Sequence, residues 1–193
     1  SIVSSTWRKA SVAHKVPEFV PYQFSGGTSE RSDALLMRAQ TRVVLADGER
    51  LLAMLGEQAR IALVGPAVLR VLEACSAHVE LSLEQGTLLG DYDRKQGGEL
   101  IIQSPGARTE IVGTLFSVRA LGTESHVAVA RGKVRVHAGD LQIEVGAGQA
   151  WRSGALAAEE ISPSAAAELA RHGDSPRDAM HAGEGDVAGY ART

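Results

Sequence analysis

The sequence predicts an all-β protein: a β-solenoid-like or rolled double sheet of short strands, with an N-terminal arm and a short C-terminal helix. Between residues 42 and 152, short segments alternate apolar and polar residues with the period of two that a half-buried strand requires. Turns containing glycine separate these segments, and no helix of useful length is predicted between them. Because strands follow one another without crossover helices, the pattern favours an all-β fold over an α/β fold.

The predicted regions differ in composition. They are an N-terminal arm at residues 1–41, the β domain at 42–152, a connection with a short helix at 153–173, and a flexible tail at 174–193. The helix is predicted from "SPSAAAELARHG", where Ser162 can cap the first turn, Pro163 suits the first helical position, and Gly173 can end the helix. The tail is rich in Gly, Asp and Ala, which is typical of a linker or of disorder.

Two neighbouring strands have the clearest alternation. In "KVRVHAG", Val134 and Val136 share one face, and in "LQIEV" Leu141, Ile143 and Val145 share one face. The "HAGD" segment between them has the length and the glycine of a turn that joins neighbouring strands. We therefore predict two adjacent strands, each with one buried face.

The segment "GERLLAMLGEQARIAL" carries conflicting signals. Its residues are strong helix formers, and propensity alone would make it a helix. However, Asp47 and Gly48 at its start are the dipeptide typical of a β-hairpin turn. We therefore predict strands here, with a hairpin at "LADGERL".

A short pattern occurs twice in the β domain. Val79–Leu89 and His126–Val136 each have alternating apolar positions, a glycine, and apolar positions again, with Gly86 and Gly132 at the equivalent place. A repeated strand, glycine corner and strand is what a β-solenoid or a rolled double sheet needs. Both architectures remain open at this point.

Charge and length argue against several classes of function. The formal net charge of -3 gives no electrostatic reason to expect a nucleic acid or an anionic membrane as the main partner. No apolar run reaches the roughly 18 residues of a membrane helix. Because the chain begins with Ser1 and has no charged-then-apolar leader, we expect a mature or excised fragment. The single Cys75 has apolar neighbours and is predicted to be a buried, inert thiol.

Motifs for catalysis, cofactors and metals were sought, and the sequence predicts none. It has no Gly-x-Ser-x-Gly, His-Glu-x-x-His, phosphate-loop or Cys-x-x-Cys motif. Asp91, Asp93 and Glu99 are close in sequence but lack the pattern of a calcium loop, so a solvated loop is the preferred interpretation. His126 and His137 could meet across paired strands, but a third zinc ligand is not evident.

A basic pattern occurs in "ARGKVRV". Arg131, Lys133 and Arg135 would form a row on one sheet face if the strand is regular, extended by Arg119 from a neighbouring strand. One interpretation is a docking face for an acidic protein surface or an anionic envelope glycan. The other is the solvent-exposed side of an amphipathic strand.

Several spaced elements together resemble the FecR domain of bacterial envelope signalling proteins. In order they are "LADG", "ARIAL", "VELSLEQGTLL", "LIIQSPGARTEIVGTLFSVR", "VAVARGKVRV" and "IEVGAGQAW". The resemblance covers residues 42–152, and "VGTLFSV" (Val112–Val118) is its most distinctive element. Well-known members of that family are sensors that pass a signal from an outer-membrane receptor to a cytoplasmic sigma factor.

The resemblance implies a non-enzymatic protein-interaction module, of sensor, regulator or scaffold type, in the periplasm or cell envelope of a Gram-negative bacterium. The implied partners are envelope proteins: an outer-membrane receptor, a secretin-like protein or a sigma-regulatory protein. A cofactor, a nucleic acid and membrane insertion by this fragment are not expected. The alternative is a peptidoglycan-binding or glycan-binding module, which would normally need exposed aromatic residues such as Trp7 and Trp151 to stack on sugars.

Overall fold

The computed structural model describes residues 19–25, 39–55, 59–75, 78–93, 98–163, 166–167 and 169, and these form an all-β structure. The strands within these ranges are β1 Phe19–Ser25, β2 Arg42–Leu45, β3 Arg50–Leu55, β4 Ala59–Cys75, β5 His78–Tyr92, β6 Glu99–Ser104, β7 Ala107–Ile111, β8 Thr114–Leu121, β9 Glu124–Arg131, β10 Lys133–Ala138, β11 Leu141–Gly146, β12 Gln149–Arg152 and β13 Glu159–Glu160. The all-β class that the sequence predicts is therefore confirmed.

All these strands belong to one curled sheet. Its main order is β11-β10-β7-β6-β5-β8-β9-β12-β13, while β4 pairs with β5 and carries β2 and β3, and β1 pairs with β3. Neighbours are antiparallel except β5 and β6, which are parallel. The sheet curls so that β11, at one end of the order, contacts β9 and β12 near the other end. This shape agrees with a rolled sheet, whereas the solenoid detail is not confirmed.

Long chain segments cross from one half of the curled sheet to the other. We call β2, β6, β7, β10, β11 and the adjoining parts of β4 and β5 the first half-sheet. The second half-sheet contains β1, β3, β8, β9, β12, β13 and the remaining parts of β4 and β5. Gly86 and Gly132, the glycines of the repeated pattern, lie at two of these crossings with φ of 100° and 81°. A Cβ at Gly132 would overlap the carbonyl oxygen of Gly113, so this corner requires glycine.

The segment with helix-forming residues is a pair of strands, as predicted. Leu51, Ala53, Ile61 and Leu63 are all buried at alternate positions of β3 and β4, so period-two burial outweighs helix propensity there.

The predicted hairpin at Asp47 and Gly48 is wrong. The turn exists, with the Glu49 N–H donating to the Ala46 carbonyl oxygen at 3.2 Å. However, β2 and β3 do not pair with each other, because both pair in succession with the single long strand β4. The dipeptide therefore makes a bend between two strands that pair with successive parts of β4.

The two adjacent strands predicted from "KVRVHAGDLQIEV" are confirmed, and they form an antiparallel hairpin. Strands β10 and β11 are antiparallel, and Val134, Val136, Ile143 and Val145 are buried. Leu141 differs from the prediction: it is at the start of β11 and is 43% exposed.

The core lies inside the curl of the sheet. One row of it runs in register across six strands of the second half-sheet: Leu51, Leu63, Leu88, Val118, Val127 and Trp151, each no more than 2% exposed. Burying such a side chain contributes about 1.5–3 kcal/mol. The Trp151 Nε1–H donates to the Ala155 carbonyl oxygen at 3.0 Å, so its polar group is satisfied. The opposite face of these strands is consequently turned outwards.

The C-terminal part of the described chain crosses that outer face. Leu169 is 7% exposed and packs in a small cluster with Ala62 and Leu89. The Ala166 N–H donates to the Ser162 carbonyl oxygen, but the predicted helix from Ser162 to Gly173 falls largely outside the described residues and is not confirmed.

Most of the predicted N-terminal arm and all of the predicted flexible tail remain predictions. Residues 1–18, 26–38 and 170–193 lie outside the described ranges, as does the side chain of Cys75. Within the predicted arm, Phe19–Ser25 forms strand β1 and pairs with β3. None of the helical residues that the structure describes belongs to a segment long and apolar enough to cross a membrane.

Candidate interaction surface

Three of the predicted basic residues are paired with acids. Arg131 Nη2 lies 2.8 Å from an Asp91 oxygen, and Lys133 Nζ lies 3.0 Å from a Glu144 oxygen. Arg135 Nη1 lies 3.0 Å from a Glu110 oxygen. The positive φ of Gly132 also breaks the strand, so Arg131 ends β9 while Lys133 and Arg135 are on β10. The predicted row is thus interrupted and its charges are compensated within the protein.

Glu110 is the centre of this charge compensation. Arg108 Nη1 donates to one of its oxygens at 2.6 Å and Arg135 Nη1 to the other at 3.0 Å, while His137 Nε2 lies 3.1 Å away. Partial burial by itself would raise the pKa of Glu110, but the hydrogen bonds from Arg108 and Arg135 and the charge of His137 outweigh it and lower the pKa below 4.5.

We call this outer surface of the first half-sheet the compensated face. Its members are Glu80, Arg108, Glu110, Lys133, Arg135, His137 and Glu144. It has three arginine or lysine side chains and three carboxylates, each in at least one ion pair within the set. A partner would have to break these pairs to use the charges.

Arg119 lies elsewhere, on the outer face of the second half-sheet. The strand register places it opposite Thr87 on one side and opposite His126 on the other. His126 in turn lies opposite Arg152. On the other flank, Thr87 lies opposite Val64, and Val64 opposite Arg50.

These residues form one row across six strands, which we call the cationic row: Arg50, Val64, Thr87, Arg119, His126 and Arg152. Neighbouring strands are about 4.8 Å apart, so the row extends over about 24 Å. The residues adjoining it in sequence form the buried row that ends at Trp151, which is why its own side chains all point outwards.

The arginines of this row differ from those of the compensated face in their surroundings. Among the residues that the structure describes, Arg50, Arg119 and Arg152 have no ion pair with an acidic side chain. His126 has one long contact, 3.9 Å from Nε2 to a Glu124 oxygen. The cationic row therefore keeps charges that an acidic partner could neutralise.

A second row, apolar except for Ser117, runs parallel to the cationic row and lies two residues away from it on each strand. It contains Leu52, Ala62, Leu89, Ser117, Ala128 and Ala150. All residues of the two rows except Leu52, Ala62 and Arg152 line a groove of about 510 Å³, and Ile161 and Leu169 also line it. Because Ser117, Ala128 and Ala150 have small side chains, the groove floor allows close approach there.

A second cavity, of about 560 Å³, adjoins the end of the cationic row. His126 and Arg152 line it together with Leu156, which is 80% exposed. Leu156 thus adds an exposed apolar side chain beside the end of the cationic row.

Among the described residues, the acidic loop and the histidine pair do not bring three metal ligands together. Asp91 holds Arg131, and Glu99 accepts a hydrogen bond from His78 Nδ1 at 2.9 Å. His126 and His137 lie on β9 and β10, which belong to different half-sheets and do not pair.

A group that sequence reasoning missed lies at the β4–β5 end. His78 Nε2 is 3.8 Å from an oxygen of Glu73 and 3.8 Å from an oxygen of Glu80. These three could hold a metal ion, since their ligand atoms all lie within 4.8 Å of one another. They come from two strands, so residue spacing in the sequence gave no signal for them.

Comparisons with known proteins give a family and a fold. The family described as FecR protein matches residues 37–135, about half of the chain. No curated protein sequence matches the chain significantly. Two crystal structures of a candidate anti-sigma factor from Parabacteroides distasonis ATCC 8503, at 1.65 Å and 2.50 Å resolution, both have a TM-score of 0.55.

The structural matches are 18% and 20% identical in sequence, and at that level they show a shared fold alone. Each covers 62% of this chain and 59% of the other protein, so the likeness spans less than two thirds of either. The family match extends through the "VGTLFSV" element that the sequence analysis singled out. The chain belongs to the FecR protein family.

Proposed function

We propose that this chain is a non-enzymatic protein-interaction module of a regulator in the cell envelope of a Gram-negative bacterium, working in the periplasm. FecR family membership supports a signalling role, and the likeness to a candidate anti-sigma factor is consistent with it. The proposed partners are an outer-membrane receptor, a secretin-like protein or a sigma-regulatory protein.

The observation that carries this proposal is that the cationic row and the apolar row lie side by side on the outer face of the second half-sheet. Uncompensated arginines beside small apolar side chains offer a partner both charge attraction and apolar contact. Arg119 is the one predicted site residue that belongs to this surface. Binding by Arg131, Lys133 and Arg135 stays a prediction, and it would require release of three ion pairs.

A glycan-binding function has weaker support. The aromatic side chains of Tyr92, Phe116 and Trp151 are at most 4% exposed, so these three cannot stack on a sugar. An envelope glycan would have to be held by other groups.

Affinity capture tests the proposal. The tagged chain is incubated with an envelope extract of its source, and the bound proteins are identified by mass spectrometry. We expect one envelope regulator or receptor in stoichiometric amount, and its purified form should bind again in isothermal titration calorimetry. Retention on purified peptidoglycan together with no protein partner would contradict the proposal.

A further inference from the structure

We propose that the groove on the second half-sheet binds an acidic amphipathic helix of a partner protein, an inference that rests on the proposed protein-binding function. The helix would lie along the two rows, with its carboxylates on the cationic row and its apolar side chains on the apolar row. Helix-in-groove binding of this kind is a common mode of peptide recognition.

The charges of the cationic row favour an acidic occupant. Arg119 and Arg152 flank His126 on adjacent strands and are exposed, and none of the acidic side chains in the described chain is paired with either arginine. By contrast, Arg131, Lys133 and Arg135 each have an acid within 3.0 Å. The two sets differ in what surrounds them, and only the first leaves unneutralised charge for a partner.

The apolar row favours a protein segment over a simple anion as the ligand of this groove. Ser117, Ala128 and Ala150 are half-buried and small, and they adjoin the row positions of Arg119, His126 and Arg152 on the same three strands. A phosphate or a polyanionic glycan would leave the methyl groups of Ala128 and Ala150 without apolar partners. Large apolar side chains of a partner helix would fill the space above them.

The spacing of the rows suits a helix. Successive outward residues of a strand are about 6.8 Å apart, so the two rows together are about as wide as one side of an α-helix. Arg119 and Arg152 are two strands apart, about 10 Å. Carboxylates seven residues apart on a helix are about 10.5 Å apart on one face, and so could meet both arginines.

Leu169 marks one end of the available surface. It already covers Ala62 and Leu89, so the chain itself demonstrates that apolar side chains pack on this row. In the part of the chain that the structure describes, the outer face of β8, β9 and β12 lines the groove beside Leu169, and exposed Leu156 lies beyond Arg152. We infer that the partner helix binds over β8, β9 and β12.

The test uses the full chain and a synthetic amphipathic helix of about 18 residues, long enough to be helical. Glu residues are spaced seven apart on one side, and Leu residues occupy the adjoining side. Three control peptides have Lys for Glu, Ser for Leu, or the same composition scrambled. Binding is located by NMR shifts of backbone amides and measured by titration.

We expect the Glu/Leu peptide to shift the amides of Ser117, Arg119, Ala128 and Ala150, and to bind at least tenfold more tightly than each control peptide. The double variant Arg119→Gln, Arg152→Gln should weaken binding about tenfold. The matched variant Lys133→Gln, Arg135→Gln removes the same number of charges from the compensated face and should leave binding unchanged. Circular dichroism melting of each variant checks that it is folded.

Equal binding of the Ser-for-Leu peptide would overturn the proposal, because charge alone would then suffice. Equal weakening by both double variants, or shifts confined to another surface, would do the same. The proposed function is tested by a separate experiment, the affinity capture, and a capture that finds no protein partner would contradict it. If capture succeeds and the partner binds the Arg119→Gln, Arg152→Gln variant as tightly as the unaltered chain, the function stands and the docking site is wrong.

Discussion

The outer surfaces of the two half-sheets use basic residues in opposite ways. On the compensated face, Glu110 accepts hydrogen bonds from Arg108 and Arg135. On the cationic row, the residues opposite Arg119 are Thr87 and His126, and neither is an acid. Both surfaces look alike in sequence, as arginines alternating with apolar residues. The residue across the strand pair decides whether such a charge stabilises the fold or remains free for a partner.

The difference follows from where the acids are. Glu80, Glu110 and Glu144 lie at outward positions of the first half-sheet, one each on β5, β7 and β11. Beside the cationic row of the second half-sheet, the neighbours at Ser117 and Ala128 are small and uncharged, and Asp91 of the same half-sheet is already paired with Arg131. The first surface is thereby suited to stability and the second to binding.

The largest expected effect on stability comes from a substitution at Gly132, the corner at which the chain crosses between the two half-sheets. Gly132→Ala adds a Cβ that overlaps the Gly113 carbonyl oxygen and strains a backbone with φ of 81°. We expect the free energy of unfolding to fall by about 3 kcal/mol. Urea titration followed by circular dichroism measures it.

Gly139→Ala is the matched control for that corner. Its φ is 59°, but the added Cβ has no atom within 4 Å. The loss should be about 1 kcal/mol, which is the cost of the left-handed backbone alone. Equal losses in both variants would mean that the close approach of Gly132 to Gly113 has no energetic importance.

Removing the central acid of the compensated face should have the next largest effect. Glu110→Gln leaves Arg108, Arg135 and His137 without their shared carboxylate. We expect a loss of about 1 kcal/mol in the free energy of unfolding at neutral pH. An unchanged urea midpoint would show that these ion pairs contribute nothing measurable.

The same carboxylate makes stability depend on pH. Because the pKa of Glu110 is lower in the folded protein than its ordinary value of 4.5, its stabilisation is present above pH 4.5 and is lost as pH falls through the folded pKa. The difference in stability between the unaltered chain and Glu110→Gln should therefore shrink below pH 4.5. A difference that stays constant down to pH 3 would contradict the lowered pKa.

The sequence predicted the all-β fold, but it predicted only one residue of the proposed binding surface. The alternation around Val134 and Ile143 correctly gave paired strands, because burial on one face dictates a period of two. The family resemblance was likewise readable from ordered local elements. The bend at Asp47 and Gly48 was misread, because a local turn signal does not reveal which strand will supply the pairing partner.

The cationic row could not be derived in the same way. Arg50, Arg119 and Arg152 are far apart in sequence and become neighbours only through the register of six strands. The predicted trio around Lys133 was close in sequence, and its acidic partners, such as Glu110 and Glu144, come from other strands. Local patterns gave the strands, while nonlocal register determined which charges are free.

The smallest expected effect has the opposite sign and tests the comparison directly. Arg119 and Arg152 lie on either side of His126, so the row contains two like charges two strands apart. Arg152→Gln should therefore raise the free energy of unfolding by about 0.3 kcal/mol at low salt, and about 0.5 M NaCl should remove the gain by screening. Lys133→Gln, which removes a charge 3.0 Å from Glu144, should show a small loss instead. If Arg152→Gln were destabilised as much as Lys133→Gln at low salt, the arginine would have a stabilising partner, and the contrast between the two surfaces would not hold.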